Sequence, residues 1–127
     1  MNKSVWLWNE QIKDVNLNAA KTVYSDFADE NLIYYLKRVS VIHDCASDVN
    51  VIIGIESDGV KYPIVNQNAT TGVTYAMSTL IDTFLKSGDR VYVDIPAFTS
   101  GKYIQFMLRG IKIDSDAFSK SVAVMFL

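Results

Sequence analysis

The stretch VNVIIGIESDGVKYPIV, residues 49–65, decides the fold class of this chain. From Val49 to Glu56 apolar side chains recur at every second position, which is the period of a β-strand with one buried face. The dipeptide Asp58-Gly59 then favours the positive φ angles of a tight turn, and Val60 to Val65 returns as a second strand. The segment therefore predicts an antiparallel β-hairpin.

The composition extends this prediction to the whole chain. Its 127 residues include 14 Val and 12 Ile against 9 Ala and 8 Leu, and 11 Asp against 3 Glu. β-Branched residues favour strands, whereas Asp favours turns and Glu favours helix surfaces. We therefore expect a mostly β protein that forms one domain over residues 1–127. A chain of this length buries enough surface to fold without disulfides or metal.

Further strands are predicted wherever apolar residues alternate. Residues 91–95 form one, which Pro96 either ends or places at a sheet edge, and residues 103–113 form another. Residues 32–42 also alternate except at Lys37, where we expect a register change, and Gly110 indicates a bulge or bend. About eight short strands predict an antiparallel β-sandwich or jelly roll, with a single sheet packed on a helix as the lesser alternative.

One segment carries the spacing of a helix. The apolar residues at positions i, i+3, i+4, i+7 and i+8 are Met77, Leu80, Ile81, Phe84 and Leu85. Ser87-Gly88 supplies a helix stop, although period two fits part of the same segment. The pattern predicts one short helix over residues 77–86.

Composition and motifs exclude most chemistry. The net charge is −2, without the basic clusters of a nucleic-acid-binding protein, and no apolar run is long enough for a membrane span. Cys45 and His43 are the only residues of their types, so an internal disulfide is excluded and a structural zinc site is nearly impossible, and we interpret the pair as part of a loop. Glycine-rich phosphate loops are absent. We therefore predict no catalytic residues, no cofactor and no metal.

A small hydrolase remains an alternative, because Glu56, Asp82 and Asp94 could meet in space as catalytic carboxylates. Polar residues 66–72 form a possible contact loop.

Aromatic and apolar residues supply the candidate interface. Trp6 and Trp8 share one side of a short N-terminal strand, and Tyr34 and Tyr35 are adjacent, so one of these tyrosine rings faces away from the core. The alternative is that Trp6 or Trp8 closes one end of the core. Residues 121–127 form an apolar strand with two hydrophobic faces, which lies inside a sandwich or pairs with another chain. The candidate interface residues are Trp6, Trp8, Tyr34, Tyr35, Met107, Val122, Val124 and Phe126.

Two segments, LKSGDRVYV at 85–93 and TSGKYIQFMLRG at 99–110, resemble small β-sandwich virion proteins of tailed bacteriophages. In those proteins a Leu-x-x-Gly-Asp turn leads into an outer strand, and a short loop returns it as a long strand ending in Gly. VNVII at 49–53 and DGVKYP at 58–63 resemble their preceding hairpin. The resemblance covers about residues 30–113.

This resemblance implies a non-enzymatic structural role as a capsid decoration or accessory protein. The implied partners are other virion proteins, among them the major capsid protein, and further copies of this chain in a symmetric homo-oligomer, with a trimer favoured. Neither nucleic acid nor a membrane is an expected partner. The protein would be located in the virion after assembly in the host cytoplasm. The alternative function is a carbohydrate-binding or host-adhesion β-sandwich module.

Overall fold

The computed structural model describes residues 4–14, 20–43, 48–69, 77–96 and 103–118. A helical turn at residues 115–118 follows the last of eight strands. The strands are β1 (Val5–Asp14), β2 (Lys21–Tyr24), β3 (Leu32–His43), β4 (Val49–Ser57), β5 (Val60–Ala69), β6 (Met77–Leu85), β7 (Arg90–Ile95) and β8 (Ile104–Asp114).

The strands form two antiparallel four-stranded sheets. Sheet A has the order β1-β8-β3-β6, and sheet B has the order β2-β7-β4-β5. This order is that of an eight-stranded jelly roll, which consists of two Greek keys. Consecutive strands mostly alternate between the two sheets. The predicted β-sandwich is therefore confirmed. That residues 1–127 form one domain stays a prediction.

The core lies between the two sheets, as the alternation predicts. The hairpin at residues 49–65 is present, with a register irregularity after Ile53, and β5 continues to Ala69. β7 lies inside sheet B between β2 and β4, so Pro96 ends this strand and does not mark an edge. Fully buried side chains of the core include Leu36, Val39, Val41, Val51, Ile53, Val91, Val93, Phe106 and Leu108.

The register of β3 changes at Lys37, where the sequence predicts it. Leu36 lies opposite Gly110 and Arg38 lies opposite Arg109, so Lys37 is an extra residue without a partner on β8. A Cβ atom on Gly110 would lie 1.8 Å from the carbonyl oxygen of Tyr35. The bulge therefore needs glycine on the neighbouring strand, which explains the signal at both positions.

The predicted helix over residues 77–86 is wrong, because this segment is strand β6 and pairs with β3. Its apolar residues are divided between the two faces of the strand. Ile81 and Leu85 are buried in the core, whereas Leu80 and Phe84 point outward and are 55% and 53% exposed. Pairing with a distant strand determines the structure here, and the helical spacing is a coincidence of two apolar faces.

Some predicted features fall outside the described residues. These are Cys45, residues 70–72 of the polar segment and the C-terminal strand over 121–127. The first part of the polar segment, residues 66–69, belongs to β5 and is not a loop. In the described part of the chain, no helix has the length and apolar character that a membrane crossing requires.

Candidate functional site on the outer face of sheet A

Sheet A carries exposed apolar side chains across its full width. On the edge strand β1, Val5 and Leu7 are 44% and 79% exposed, and on the opposite edge strand β6, Leu80 and Phe84 project outward as well. Strand alternation accounts for this, because Trp8 and Ile81 point into the core and their neighbours must then point out. We call this surface the outer apolar face; its members are Val5, Leu7, Tyr35, Leu80, Phe84, Met107 and Ile111.

An aromatic cluster fixes one half of the outer apolar face. The ring of Phe84 lies between those of Tyr35 and Phe118, with centroids 5.0 and 5.4 Å away. The hydroxyl of Tyr35 donates a hydrogen bond to the carboxylate of Asp82, and this bond raises the pKa of Tyr35 above its ordinary value. The cluster therefore presents rings whose orientation is set before any partner binds.

A groove of about 730 Å³ runs over β1, β8 and β3 on the same face. Its apolar lining comes mainly from Leu7, Tyr35, Met107 and Ile111. Its polar lining comes from Asn9, Glu10, Gln11, Lys37 and Arg109. The groove thus combines an apolar floor with polar and charged groups that can select an occupant.

The β-bulge determines the charge of this groove. Leu36 and Val39 are fully buried, so the two residues between them, Lys37 and Arg38, both lie on the exposed side of β3. If both residues belonged to a regular strand without the bulge, strict alternation would turn one of these two cations towards the core. Neither Lys37 nor Arg109 has an ion-pair partner among the residues that the structure describes.

The acid in the groove lining is already engaged. Glu10 accepts a hydrogen bond from the indole Nε1 of Trp8 at 3.3 Å and one from the backbone N of Asp26 at 2.8 Å. Its carboxylate therefore links β1 to the loop after β2. The remaining charged groups of the groove are Lys37 and Arg109, and an occupant of the groove would contact these cations.

The outer face of sheet B is different, because its charged groups contact one another. Lys61 Nζ lies 3.1 Å from Thr22 Oγ1 and 3.2 Å from Asp94 Oδ1. The hydrogen bond to Asp94 raises the pKa of Lys61. The charge of Lys61 is therefore engaged within sheet B.

A second charged cluster on sheet B is satisfied in the same way. Arg90 Nη2 lies 2.9 Å from Glu56 Oε1, and the guanidinium carbon lies 3.6 Å from the centroid of the Tyr24 ring. The ion pair is only partly exposed, and the ring shields one side of the guanidinium. These contacts hold β2, β7 and β4 together.

The structure separates the candidate interface residues. Trp8 and Tyr34 are 2% and 4% exposed and pack edge to face in the core, with ring centroids 5.0 Å apart, so they have almost no area left for a partner. Trp8 is thus a buried member of the core. Trp6 is half-buried, and Tyr35 and Met107 line the groove. Val122, Val124 and Phe126 lie outside the described residues.

Sequence reasoning missed three of the most exposed apolar residues, Leu7, Leu80 and Phe84. Leu7 lies between two tryptophans, whose larger rings carry the stronger interface signal, and the helical spacing of residues 77–85 places Leu80 and Phe84 on a helix face. The available signal was the pair of apolar doublets at 80–81 and 84–85, because adjacent apolar residues in a strand must face opposite sides.

The candidate catalytic groups do not converge. Glu56 and Asp94 lie on sheet B beside Arg90 and Lys61, whereas Asp82 lies on sheet A beside Tyr35. The interpretation of His43 as a loop residue is wrong, because His43 is the last residue of β3 and is buried, with Nε2 2.9 Å from the carbonyl oxygen of Ala69. No group of three or more His, Cys, Asp or Glu residues that could hold a metal ion occurs in the described ranges.

The sequence matches no protein-family model and no curated protein. In structure the chain is similar to a Bacillus endospore appendage pilus protein, with a TM-score of 0.47 and 15% identity over 90% of this chain and 91% of that one. It is also similar to a chain of the virus-like particle of Macrobrachium rosenbergii extra small virus, with a TM-score of 0.42 and 11% identity over 88% of this chain and 81% of that one.

A third similar structure is the Clostridium thermocellum xylanase 10B CBM22-1–GH10 chain complexed with xylohexaose. Its TM-score is 0.47 and its identity 14%, over 87% of this chain and 24% of that one. β-Sandwich proteins of viral particles and pili, and a chain with a carbohydrate-binding module, are thus among the similar structures. Similarity at these identities concerns the arrangement of the strands and extends to no site residue.

Proposed function

We propose that this chain is a non-enzymatic structural protein that acts by binding other proteins through the outer apolar face. In the finer form of the proposal it is a capsid decoration or accessory protein of a tailed-bacteriophage virion. It then assembles as a homo-oligomer and contacts the major capsid protein. The observation that carries the proposal is the exposure of Leu7, Leu80 and Phe84, at 79%, 55% and 53%, across both edges of one sheet.

The physical argument concerns contiguous apolar area. Single exposed hydrophobic residues are normal, but contiguous apolar patches on soluble monomers are small, and larger ones mark interaction sites. Here each of the four strands of sheet A contributes at least one apolar residue to the same face. Burying such a face contributes roughly 25 cal/mol per Å² of apolar area, and specific interfaces bury about 1,600 Å² in total.

Two observations support the virion form of the proposal. The quoted segment at 85–93 forms the turn between β6 and β7 followed by β7, and the segment at 99–110 contains the first part of β8. The turn followed by a strand is what the resemblance to phage virion proteins implies, whereas β7 lies between β2 and β4 and β8 continues past Gly110 to Asp114. The jelly roll is moreover an architecture common among capsid proteins, although it also occurs in lectins and other proteins.

Native mass tests the oligomer, with a matched pair of variants. We expect light scattering to give a multimer for the wild type and a much smaller mass for the double variant Leu7→Ser, Leu80→Ser. The control is Val60→Ser, Ile64→Ser, which removes residues that are 50% and 42% exposed on β5 of sheet B and should leave the mass unchanged. A monomeric wild type at micromolar concentrations, or equal effects of the two pairs, would contradict the proposal.

Co-sedimentation tests the virion role. We expect the wild type to sediment with empty shells of the major capsid protein encoded in the same genome, and the Leu7→Ser, Leu80→Ser variant to remain in the supernatant. Wild-type protein that stays in the supernatant at saturating shell concentration would refute the decoration role and leave the oligomer proposal intact.

The groove favours carbohydrate binding as a second candidate function. It presents the ring of Tyr35 beside the side-chain amides of Asn9 and Gln11, and sugars bind through such a combination of stacking and hydrogen bonds. A glycan array decides this alternative. Binding that disappears in Tyr35→Ala and persists in Tyr62→Ala, whose residue is exposed on β5, would favour it over protein binding.

A further inference from the structure

The loop between β2 and β3 has an unusual surface. Residues 25–31 read SDFADEN, and Phe27 is 53% exposed directly after Asp26, with the centroid of its ring 4.4 Å from the guanidinium carbon of Arg90. Asp26 and Glu30 are exposed, and neither carboxylate has a cation partner among the described residues. An aromatic ring flanked by unpaired acids is the complement of a groove that is apolar and basic.

The loop is held in place by the sandwich. The backbone N of Ser25 donates to Val91 O at 2.9 Å, and the backbone N of Ala28 donates to Asp89 O at 2.7 Å. The hydroxyl of Tyr34 donates to the carboxylate of Asp29 at 3.0 Å. Because these bonds already order the loop, binding through it costs little further conformational entropy.

Charge decides between two ways of covering the groove by a second copy. Packing one groove on another would bring Lys37 and Arg109 of both copies together, and like charges in an interface are unfavourable. Placing the loop in the groove instead brings Asp26 and Glu30 of one copy towards those cations. The same placement gives Phe27 an apolar floor to bury its ring against.

We propose that residues 25–31 of one copy occupy the groove on the outer face of sheet A of a second copy. Phe27 is the aromatic anchor against Tyr35 and Met107. The carboxylates of Asp26 and Glu30 face Lys37 and Arg109. This inference rests on the homo-oligomer of the proposed function and names the contact that holds it together.

The contact fits more than one symmetry. Two copies can exchange loops reciprocally, or each copy can place its loop in the groove of the next around a ring. Both arrangements pair the same surfaces, but they differ in how two charge-exchanged variants can fill them. A reciprocal dimer or a ring with an even number of copies can alternate the two variants at every contact, whereas a ring with an odd number leaves one like-charged contact.

The test is a charge exchange between two variants, Lys37→Glu, Arg109→Glu and Asp26→Lys, Glu30→Lys. Each variant alone opposes like charges, and we expect its association constant in sedimentation velocity to fall at least about 100-fold. An equimolar mixture pairs a basic loop with an acidic groove and the unchanged loop with the unchanged groove. We therefore expect the mixture to regain association that neither variant shows alone, which a folding defect could not produce. The mass of the wild type returns in a dimer or an even-numbered ring, whereas an odd-numbered ring gives mixed complexes that cannot close at the wild-type mass.

A second variant tests the anchor without changing charge. Phe27→Ala should weaken association about tenfold, because roughly half of a phenylalanine side chain is available for burial. Asn66→Glu is the control for the charge variants, because it adds a negative charge at an exposed position of β5 outside the proposed contact. This variant should leave association unchanged.

The outcomes separate this inference from the proposed function. If the wild type is an oligomer that Leu7→Ser, Leu80→Ser disrupts, but the charge variants keep the wild-type mass, the loop contact is refuted and the role of the outer apolar face stands. Variants that lose association but fail to recover it on mixing also refute the loop contact. A monomeric wild type overturns both.

Discussion

Leu7 and Trp8 are neighbours on β1 with opposite surroundings, and substituting each by alanine separates folding from assembly. Trp8 is 2% exposed and contacts Tyr34 in the core, whereas Leu7 is 79% exposed on the outer apolar face. We expect Trp8→Ala to destabilise the monomer and Leu7→Ala to leave the monomer stable but weaken its association.

The magnitudes follow from burial. Truncating a buried tryptophan costs about 3–5 kcal/mol, of which the edge-to-face contact with Tyr34 contributes about 0.5–1.5 kcal/mol. Complete burial of leucine contributes about 1.5–3 kcal/mol, so the buried fifth of Leu7 stabilises the monomer by at most about 0.6 kcal/mol. Covering the exposed remainder contributes up to about 2.4 kcal/mol, or up to about 60-fold in the association constant of the oligomer.

Urea unfolding followed by far-UV circular dichroism, at concentrations where the protein is monomeric, measures the first effect. Sedimentation velocity over a concentration series measures the second. The reasoning fails if Trp8→Ala costs less than about 1 kcal/mol, which is below any value expected for a buried tryptophan. It also fails if Leu7→Ala destabilises the monomer as much as Trp8→Ala, or if association of Leu7→Ala equals that of the wild type.

The other predictions concern the bulge and the aromatic cluster. Gly110→Ala should cost about 3 kcal/mol in urea unfolding because its Cβ meets backbone, whereas Gly59→Ala, at φ 78° in open space, should cost only about 1 kcal/mol. Tyr35 should ionise above its ordinary pKa of 10.0 in an ultraviolet titration, and Asp82→Asn should lower that pKa. Since the folded pKa is raised, the stabilisation from this tyrosine is complete below pH 10.0 and is lost as the pH rises through the raised value. Deleting Lys37 should leave a folded monomer by circular dichroism and weaken association; an unfolded product would show that the fold itself needs the bulge.

The fold class could be predicted from the sequence because strand alternation is a local signal. Val49, Val51, Ile53 and Ile55 each face the core, and their period of two is readable without knowing what lies opposite. The bulge at Lys37 was predictable for the same reason, since a charged residue interrupts an otherwise regular pattern.

Strand β6 was not predictable in this way. Both of its faces are apolar, Ile81 and Leu85 towards the core and Leu80 and Phe84 towards solvent, so the period-two signal disappears. When both faces of a strand are apolar, the apolar residues can fall at the i, i+3, i+4 and i+7 spacing of an amphipathic helix. The error and the candidate site therefore have one physical cause, which is apolar surface that the monomer does not bury.

The tyrosine and tryptophan candidates show a related limit. One of Tyr34 and Tyr35 had to face outward, but the sequence does not state which, because that depends on the parity of β3 relative to the core. The structure assigns Tyr34 to the core and Tyr35 to the groove. Trp8 follows the same rule on β1, where the parity of the strand directs its ring into the core.

The bulge in β3 connects the fold to the proposed assembly. A regular strand between Leu36 and Val39 would have room for one outward residue, but the bulge places both Lys37 and Arg38 on the outer side of β3, and Lys37 lines the groove together with Arg109. Gly110 makes this possible, since any side chain there would collide with the backbone of β3. Lys37 has no pairing partner on β8 because of the bulge. In the proposed contact, its positive charge faces the acidic loop of a second copy.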